Sequence, residues 1–230
     1  MTVLSDFAIT RRWPAAHPDR LQLYSLNTPN GMKIGIMLEE TGLLYEAHLV
    51  DIGKDESHTP EFLSLNPNNK IPAIVDPDGP AGEPIGLFES GAILMYLAHK
   101  TGRFMPPERS WQVTQWVMWQ MGGLGPMAGQ LNFFHAIGGK DWEDKRPRDR
   151  FAAEVRRLLG VLNGQLDGRE WMVDDYSIAD IACIGWARAI RNLNAPDLTG
   201  WDEMDHVRAW LDRALARPAV QRGLKVTAKQ

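Results

Sequence analysis

Apolar and polar positions alternate along LQLYSL, residues 21–26, with Leu21, Leu23 and Ser25 on one face and Gln22, Tyr24 and Leu26 on the other. A period of two predicts a strand. The turn NTPNG follows. Ile34, Met37 and Leu38 then recur at helical spacing as far as Gly42, a residue suited to cap a helix C-terminus. Tyr45, Ala47 and Leu49 alternate with Glu46 and His48, which predicts a second strand, parallel to the first through a right-handed crossover. Thr59-Pro60-Glu61 supplies a capping hydroxyl, a proline at the first helical position and an acid in the first turn. That helix is short and ends before Asn66-Pro67. Ala73, Ile74 and Val75 predict a third strand, DPDGPAGEP a turn, and Ile85 to Phe88 a fourth strand antiparallel to the third. A helix beginning at Glu89-Ser90 buries Ile93, Leu94 and Leu97 and closes at Gly102.

Past Phe104 the pattern changes. WQVTQWVMWQMGGLGPMAGQ, RPRDRFAAEVRRLLGVLNGQL, YSIADIACIGWARAIRNL and HVRAWLDRALARPAVQRGL all carry helical periodicity, and no further strand is predicted. The expected organisation is an irregular surface arm over residues 1–20, an α/β unit of order βαβ, short helix, ββα over 21–102, a linker over 103–110 containing MPPERS, and an all-helical unit over 111–230. Ser177-Ile178-Ala179-Asp180 has the spacing of a capping box, a hydroxyl followed three residues later by an acid. The glycine-dense GGLGPMAGQ, residues 122–130, is expected to bend or end a helix.

Composition narrows the classes. The 230 residues are 44% hydrophobic and 23% charged, an ordinary globular mix. A net charge of −4 and a pI near 5.9 give no footing for nucleic acid or an anionic membrane surface. No apolar run approaches the roughly 20 residues of a membrane span, and the N-terminus lacks the apolar centre of a secretory signal. A single cysteine, Cys183, excludes an internal disulfide and fits a reducing cytoplasm. It lies in the apolar helical segment IADIACIGW with no basic neighbour to lower its pKa, and reads as core. The six histidines show no metal-ligand spacing, and no phosphate-cradling loop appears.

A βαβ–ββα unit carrying NKIPA and FESGAILMYLA, followed by a helical unit with YSIADIA, resembles the cytosolic glutathione transferases from about Leu21 to Leu224. SLNTPNG, NPNNKIPA, LFESGAIL and WQMGGLGPMAGQ are most similar to the bacterial nu class, the glutathione-dependent disulfide-bond oxidoreductases. The resemblance implies an N-terminal thioredoxin-like domain followed by an all-helical glutathione-transferase domain, and a homodimer.

It also implies residue roles, each beside a plainer reading. Pro72 would be cis, with the Ile71 main chain pairing an extended tripeptide; the plainer reading is a proline that starts strand three. Lys70 would meet the glycine carboxylate of glutathione or stay solvated, and Ser57 and His58 are weaker neighbours of the same kind. Ser90 would hold the γ-glutamyl α-carboxylate at a helix N-terminus, and Glu89 the α-ammonium; a helix cap and a first-turn acid read equally well. Tyr24 and Ser25 stand too early in strand one to match the family's tyrosine, serine or cysteine. Thr28 and Asn30 stand at the head of the first helix instead, as donors to a thiolate or as capping residues. Neither can act as a nucleophile, so the reactive sulfur would belong to glutathione. Gln130 and Asn132 would border the cavity, and Arg150 would approach a glutathione carboxylate or remain solvated.

The implied activity is thiol–disulfide exchange by a bound glutathione thiolate on a small disulfide or electrophile, with one or two glutathiones per site and no metal. Conjugation and peroxide reduction draw on the same thiolate. The alternatives are a glutathione-binding regulator with little turnover and a purely structural transferase-like module. Immobilised-glutathione binding without disulfide reduction would mark the first.

Overall fold

A computed structural model describes residues 3–228. The chain forms two compact units, Met1–Thr101 with Pro218–Gln230, and Gly102–Arg217.

The first unit is built on strands β1 (Leu21–Ser25), β2 (Tyr45–Leu49), β3 (Ala73–Asp76) and β4 (Ile85–Phe88), ordered β2-β1-β3-β4. β1 and β2 run parallel, while β3 is antiparallel to both β1 and β4. Helix α1 (Pro29–Thr41) starts on the Thr28 cap, has proline at its first position and ends on Gly42 in the left-handed conformation. The short α2 (Pro60–Leu65) starts on Thr59 in the same way, and α3 (Ser90–Thr101) follows β4. Every residue of α1 from Gly31 to Leu38 is buried, Lys33 included.

Two expectations are corrected in this unit. The arm does not lie idle on the surface. Its 3-10 turns Leu4–Asp6 and Ala8–Arg11 drive Leu4 and Ile9 into one core cluster with Tyr24, Val50, Phe62, Leu65, Ala73 and Val75. Polar groups then pin the rest of the arm. The Ala16 and His17 N–H groups donate to the Glu46 carboxylate at 2.9 and 2.7 Å, Gln22 Nε2 donates to the His17 and Arg20 carbonyls, and Trp13 Nε1 to the Leu49 carbonyl at 3.1 Å.

The C-terminal segment, expected in the helical unit, joins the α/β unit instead. Its helix α10 (Pro218–Gly223, numbered last in the chain) packs on α1, where a Cβ on Gly223 would come within 2.4 Å of the Ile36 Cα. Arg222 Nε reaches Glu39 Oε2 at 2.6 Å, and beyond the helix the Thr227 carbonyl accepts from the Asn27 N–H at 3.1 Å.

The second unit is helical: α4 (Ser110–Trp119), α5 (Gly125–Ala136), α6 (Arg146–Gln165), α7 (Ile178–Asn192), α8 (Pro196–Thr199) and α9 (Asp205–Ala216). The glycine-dense stretch does not end a helix. A π-helical turn, Gln120–Leu124, carries α4 into α5. The start of this unit is tied in early, since the Phe104 carbonyl accepts from the Ile178 N–H at 2.9 Å. At its centre α7 is buried from Ile178 to Gly185 and packs on α4, α5 and α9. The capping box forms as its spacing predicts, with the Ser177 N–H donating to Asp180 Oδ2 at 3.0 Å.

Candidate functional site

Because β3 is antiparallel to β1 and β4, the C-terminal ends of β1 and β4 and the start of β3 share one edge of the sheet. Thr28 leaves β1 at that edge, Ile71-Pro72 leads into β3 there, and Glu89-Ser90 leaves β4 there. Motifs far apart in the sequence are thus gathered by strand register alone.

The turn after β1 is tightly closed. The Thr28 N–H donates to the Leu26 carbonyl at 2.7 Å, and Thr28 Oγ1 accepts from the Gly31 N–H at 3.2 Å. Residue 31 has to be glycine, since a Cβ there would lie 1.9 Å from the Leu26 oxygen. Thr28, Pro29 and Asn30 are half-buried at the head of α1, which has no acid in its first turn. A helix head without its own acid keeps its positive end for another anion.

The Ile71–Pro72 peptide is cis, the isomer the resemblance implies. Ile71 is half-buried, Pro72 buried and Lys70 exposed. This loop is organised by Asn66, which sequence reasoning passed over. Buried to 2% exposure, its amide donates to the Lys70 carbonyl at 2.5 Å and its Oδ1 accepts from the Asn68 N–H at 3.0 Å. The signal was present in Asn-Pro-Asn-Asn, since asparagine side chains close such turns on their own backbone. Ser57 is buried, and His58 is exposed with its Nδ1 3.7 Å from Asp55.

Glu89 has φ of 69°, in the left-handed region that side-chain-bearing residues seldom enter. Such backbone costs on the order of 1–3 kcal/mol and tends to gather at functional sites. Ser90, at 3% exposure, opens α3 and accepts a hydrogen bond from Lys33 Nζ at 3.1 Å. Lys33 is fully buried and was also missed by sequence reasoning.

Tyr24 cannot serve this edge. It is fully buried within β1, stacked on His48 at 4.8 Å, and its hydroxyl has no hydrogen-bond partner; burial first, then the Glu46 charge, pushes its pKa well above the usual phenol range. Ser25 is likewise fully buried. Cys183 is wholly buried in α7.

Gln130, Asn132 and Arg150 lie in the helical unit. Gln130 is exposed and Asn132 half-buried on α5. Arg150, on α6, lines a cleft of about 760 Å³ with Met127, Phe151, Ala153, Glu154 and Arg157. Arg157, by its side-chain hydrogen bonds, holds the Glu154 carboxyl below its usual range, and the Arg150 charge adds to this. Among the described residues no group of three or more His, Cys, Asp or Glu could hold a metal ion. No described helix is long and apolar enough to cross a membrane.

The family model for the glutathione S-transferase N-terminal domain matches residues 28–100, and the one for the C-terminal domain matches residues 127–218. The chain is 44% identical over 209 residues to the disulfide-bond oxidoreductase YfcG of Escherichia coli, covering 89% of this chain and 94% of that protein. A Pseudomonas putida glutathione transferase, crystallised with one glutathione disulfide per subunit, is 58% identical with a TM-score of 0.96, covering 98% of this chain and 99% of that one. A Burkholderia graminis glutathione transferase, crystallised with two glutathiones per subunit, is 60% identical with a TM-score of 0.94, covering 97% and 95%.

Proposed function

The chain belongs to the glutathione S-transferase family, and from that premise we propose that it is a glutathione-dependent disulfide-bond oxidoreductase of the nu class. The observation that carries the reading is the sheet edge where Thr28, Asn30, Ile71, Pro72, Glu89 and Ser90 converge, while the single cysteine is sealed inside α7. The protein supplies donors and the ligand supplies the sulfur.

Glutathione lies extended along this edge. The Ile71 main chain pairs its cysteinyl segment, Lys70 meets its glycine carboxylate, Ser90 its α-carboxylate and Glu89 its α-ammonium. Its thiol then sits at the head of α1. Hydrogen-bond donors and a helix N-terminus lower a thiol pKa from about 8.5 and raise the thiolate fraction. Thr28 and Asn30 are those donors. The thiolate attacks one sulfur of a small disulfide, a glutathione–substrate mixed disulfide forms, and the other half leaves as a thiolate that takes a proton from solvent. A second glutathione attacks the glutathionyl sulfur of the mixed disulfide. Oxidised glutathione forms and the second substrate thiol is released. Two glutathiones and one disulfide thus give one glutathione disulfide and two thiols.

The family resemblance also assigns Gln130 and Asn132 to the cavity lining and the Arg150 charge to a glutathione carboxylate. Homodimerisation is part of the proposal and is supported by α4, which leaves Trp111 82% and Met118 53% exposed. A reducing cytoplasm is the compartment that would supply the reduced tripeptide. The same thiolate could also be turned on an electrophile or a peroxide.

The test is direct. Isothermal titration with reduced and oxidised glutathione should show binding of both, and a coupled assay should show reduction of hydroxyethyl disulfide. Binding without turnover would make the chain a glutathione-responsive regulator instead. No binding of either form would leave only the fold.

A further inference from the structure

Lys33 stands apart from the residues assigned to glutathione. It lies in the second turn of α1, yet it is fully buried, and its Nζ donates to Ser90 Oγ at 3.1 Å. An ammonium has three donors and no acceptor, so the direction of that bond is fixed. Lysine is almost never fully buried, because desolvating its charge is expensive. What its ammonium touches is the hydroxyl that opens α3 at the sheet edge assigned to glutathione.

The placement fits that work. Ser90 opens α3, a 12-residue helix without an acid in its first turn, at the sheet edge shared with Ile71-Pro72. A hydroxyl that accepts from a cationic donor becomes a stronger donor in turn. The Lys33 charge and the α3 dipole carry the same sign, so both favour an anion at Ser90.

We propose that Lys33 is a positioning residue that selects ligands carrying an α-carboxylate next to Ser90, acting through the Ser90 hydroxyl and through its own charge, and so discriminates the γ-glutamyl end of the tripeptide. This rests on the glutathione-binding reading. Lys33 would touch no reacting atom. It sets the anchor that holds the cysteinyl sulfur in register with Thr28 and Asn30.

The experiment compares two ligands on two proteins by calorimetry: reduced glutathione, and γ-aminobutyryl-cysteinylglycine, the same tripeptide without its α-carboxylate. Wild-type protein should prefer glutathione about 10- to 100-fold, the usual weight of a hydrogen bond to a charged group. In Lys33→Met the preference should fall to about threefold or less. A purely structural stitch between α1 and α3 would weaken both ligands alike and leave the ratio untouched, which overturns the proposal. So does a wild-type protein that binds both ligands equally, although glutathione binding itself then stands. A wild-type protein that binds neither ligand sinks the underlying reading. Should Lys33→Met fail to fold, Lys33→Gln gives the same ratio: a fall supports the proposal, and an unchanged ratio overturns it.

Discussion

Thr28 and Ser177 each stand at the head of a helix, and each side-chain oxygen accepts from a backbone N–H of the first turn, Gly31 at 3.2 Å and Ala179 at 3.3 Å. The surroundings then diverge. Ser177 is sealed, at 1% exposure, and its helix brings its own anion. Asp180 is wholly buried and accepts from the Met172 N–H at 3.0 Å, the Ser177 N–H at 3.0 Å, the Ser177 hydroxyl at 3.2 Å and Trp210 Nε1 at 2.8 Å. The head of α1 is half-exposed and has no acid in its first turn. One helix head is neutralised from within and holds a core together. The other has no such acid, as the proposed thiolate site requires. Capping is common to both heads; burial and the chain's own acid are what separate them.

The largest expected effect comes from opening the sealed head. Asp180→Ala would strand several buried donors at once, for a stability loss of about 3–5 kcal/mol, read as the chemical-denaturation midpoint. Glutathione affinity of the folded fraction should not change. A selective loss of affinity with normal stability would erase the contrast between the two helix heads. pH sharpens it. Desolvation raises the Asp180 carboxyl from 3.8 to about 6, against the four hydrogen bonds that favour its charge. The folded chain therefore keeps a proton there that the unfolded chain gives up. Its contribution to stability is fully present below pH 3.8 and is lost as pH rises through about 6. In Asp180→Asn that loss disappears. Between about pH 4 and 7 the wild type should lose on the order of 3 kcal/mol relative to the variant.

The open head should respond in activity. Asn30→Ala removes a proposed thiolate donor, and kcat/KM of the folded variant for hydroxyethyl disulfide should drop about 10- to 100-fold. The thiol pKa of the bound tripeptide, read from the pH dependence of the rate, should rise toward the free-thiol value of about 8.5. An unchanged profile would leave Asn30 a mere capping neighbour and return α1 to the class of α7.

How much of this was legible follows from the length over which each signal runs. The four strands, the Thr28, Thr59 and Gly42 caps and the Ser177–Asp180 box were all readable, because each is a local pattern whose partners lie within a few residues. Thr28, Ile71-Pro72 and Glu89-Ser90 were visible as motifs, and only strand register brings them to one edge. The arm was misread because its 3-10 turns are three and four residues long, too short for any period, so the burial of Leu4 and Ile9 left no mark. The C-terminal segment was misread for a related reason. α10 has six residues, and what seats it on α1 is the closeness allowed by Gly35 and Gly223, which sequence spacing does not report. Lys33 was invisible for the opposite reason: a lysine at helical spacing reads as a solvated face, and only a helix buried all round makes it an internal charge.

The smallest expected effect concerns the one sulfur-bearing group that could rival the ligand's. Cys183 occupies the sealed region, wholly buried in α7, and a thiol without access to solvent is normally unreactive. The open region has no cysteine near Thr28 or Asn30 in the sequence. Cys183→Ser should therefore leave disulfide-reductase kcat/KM within about twofold, at a modest stability cost of about 1–2 kcal/mol for burying the more polar hydroxyl. Mass spectrometry after turnover should find no glutathione on residue 183. A collapse of activity in a folded Cys183→Ser protein, or a glutathionylated Cys183, would move the reactive sulfur from the tripeptide to the chain. The sealed and open helix heads would then have exchanged their chemistry.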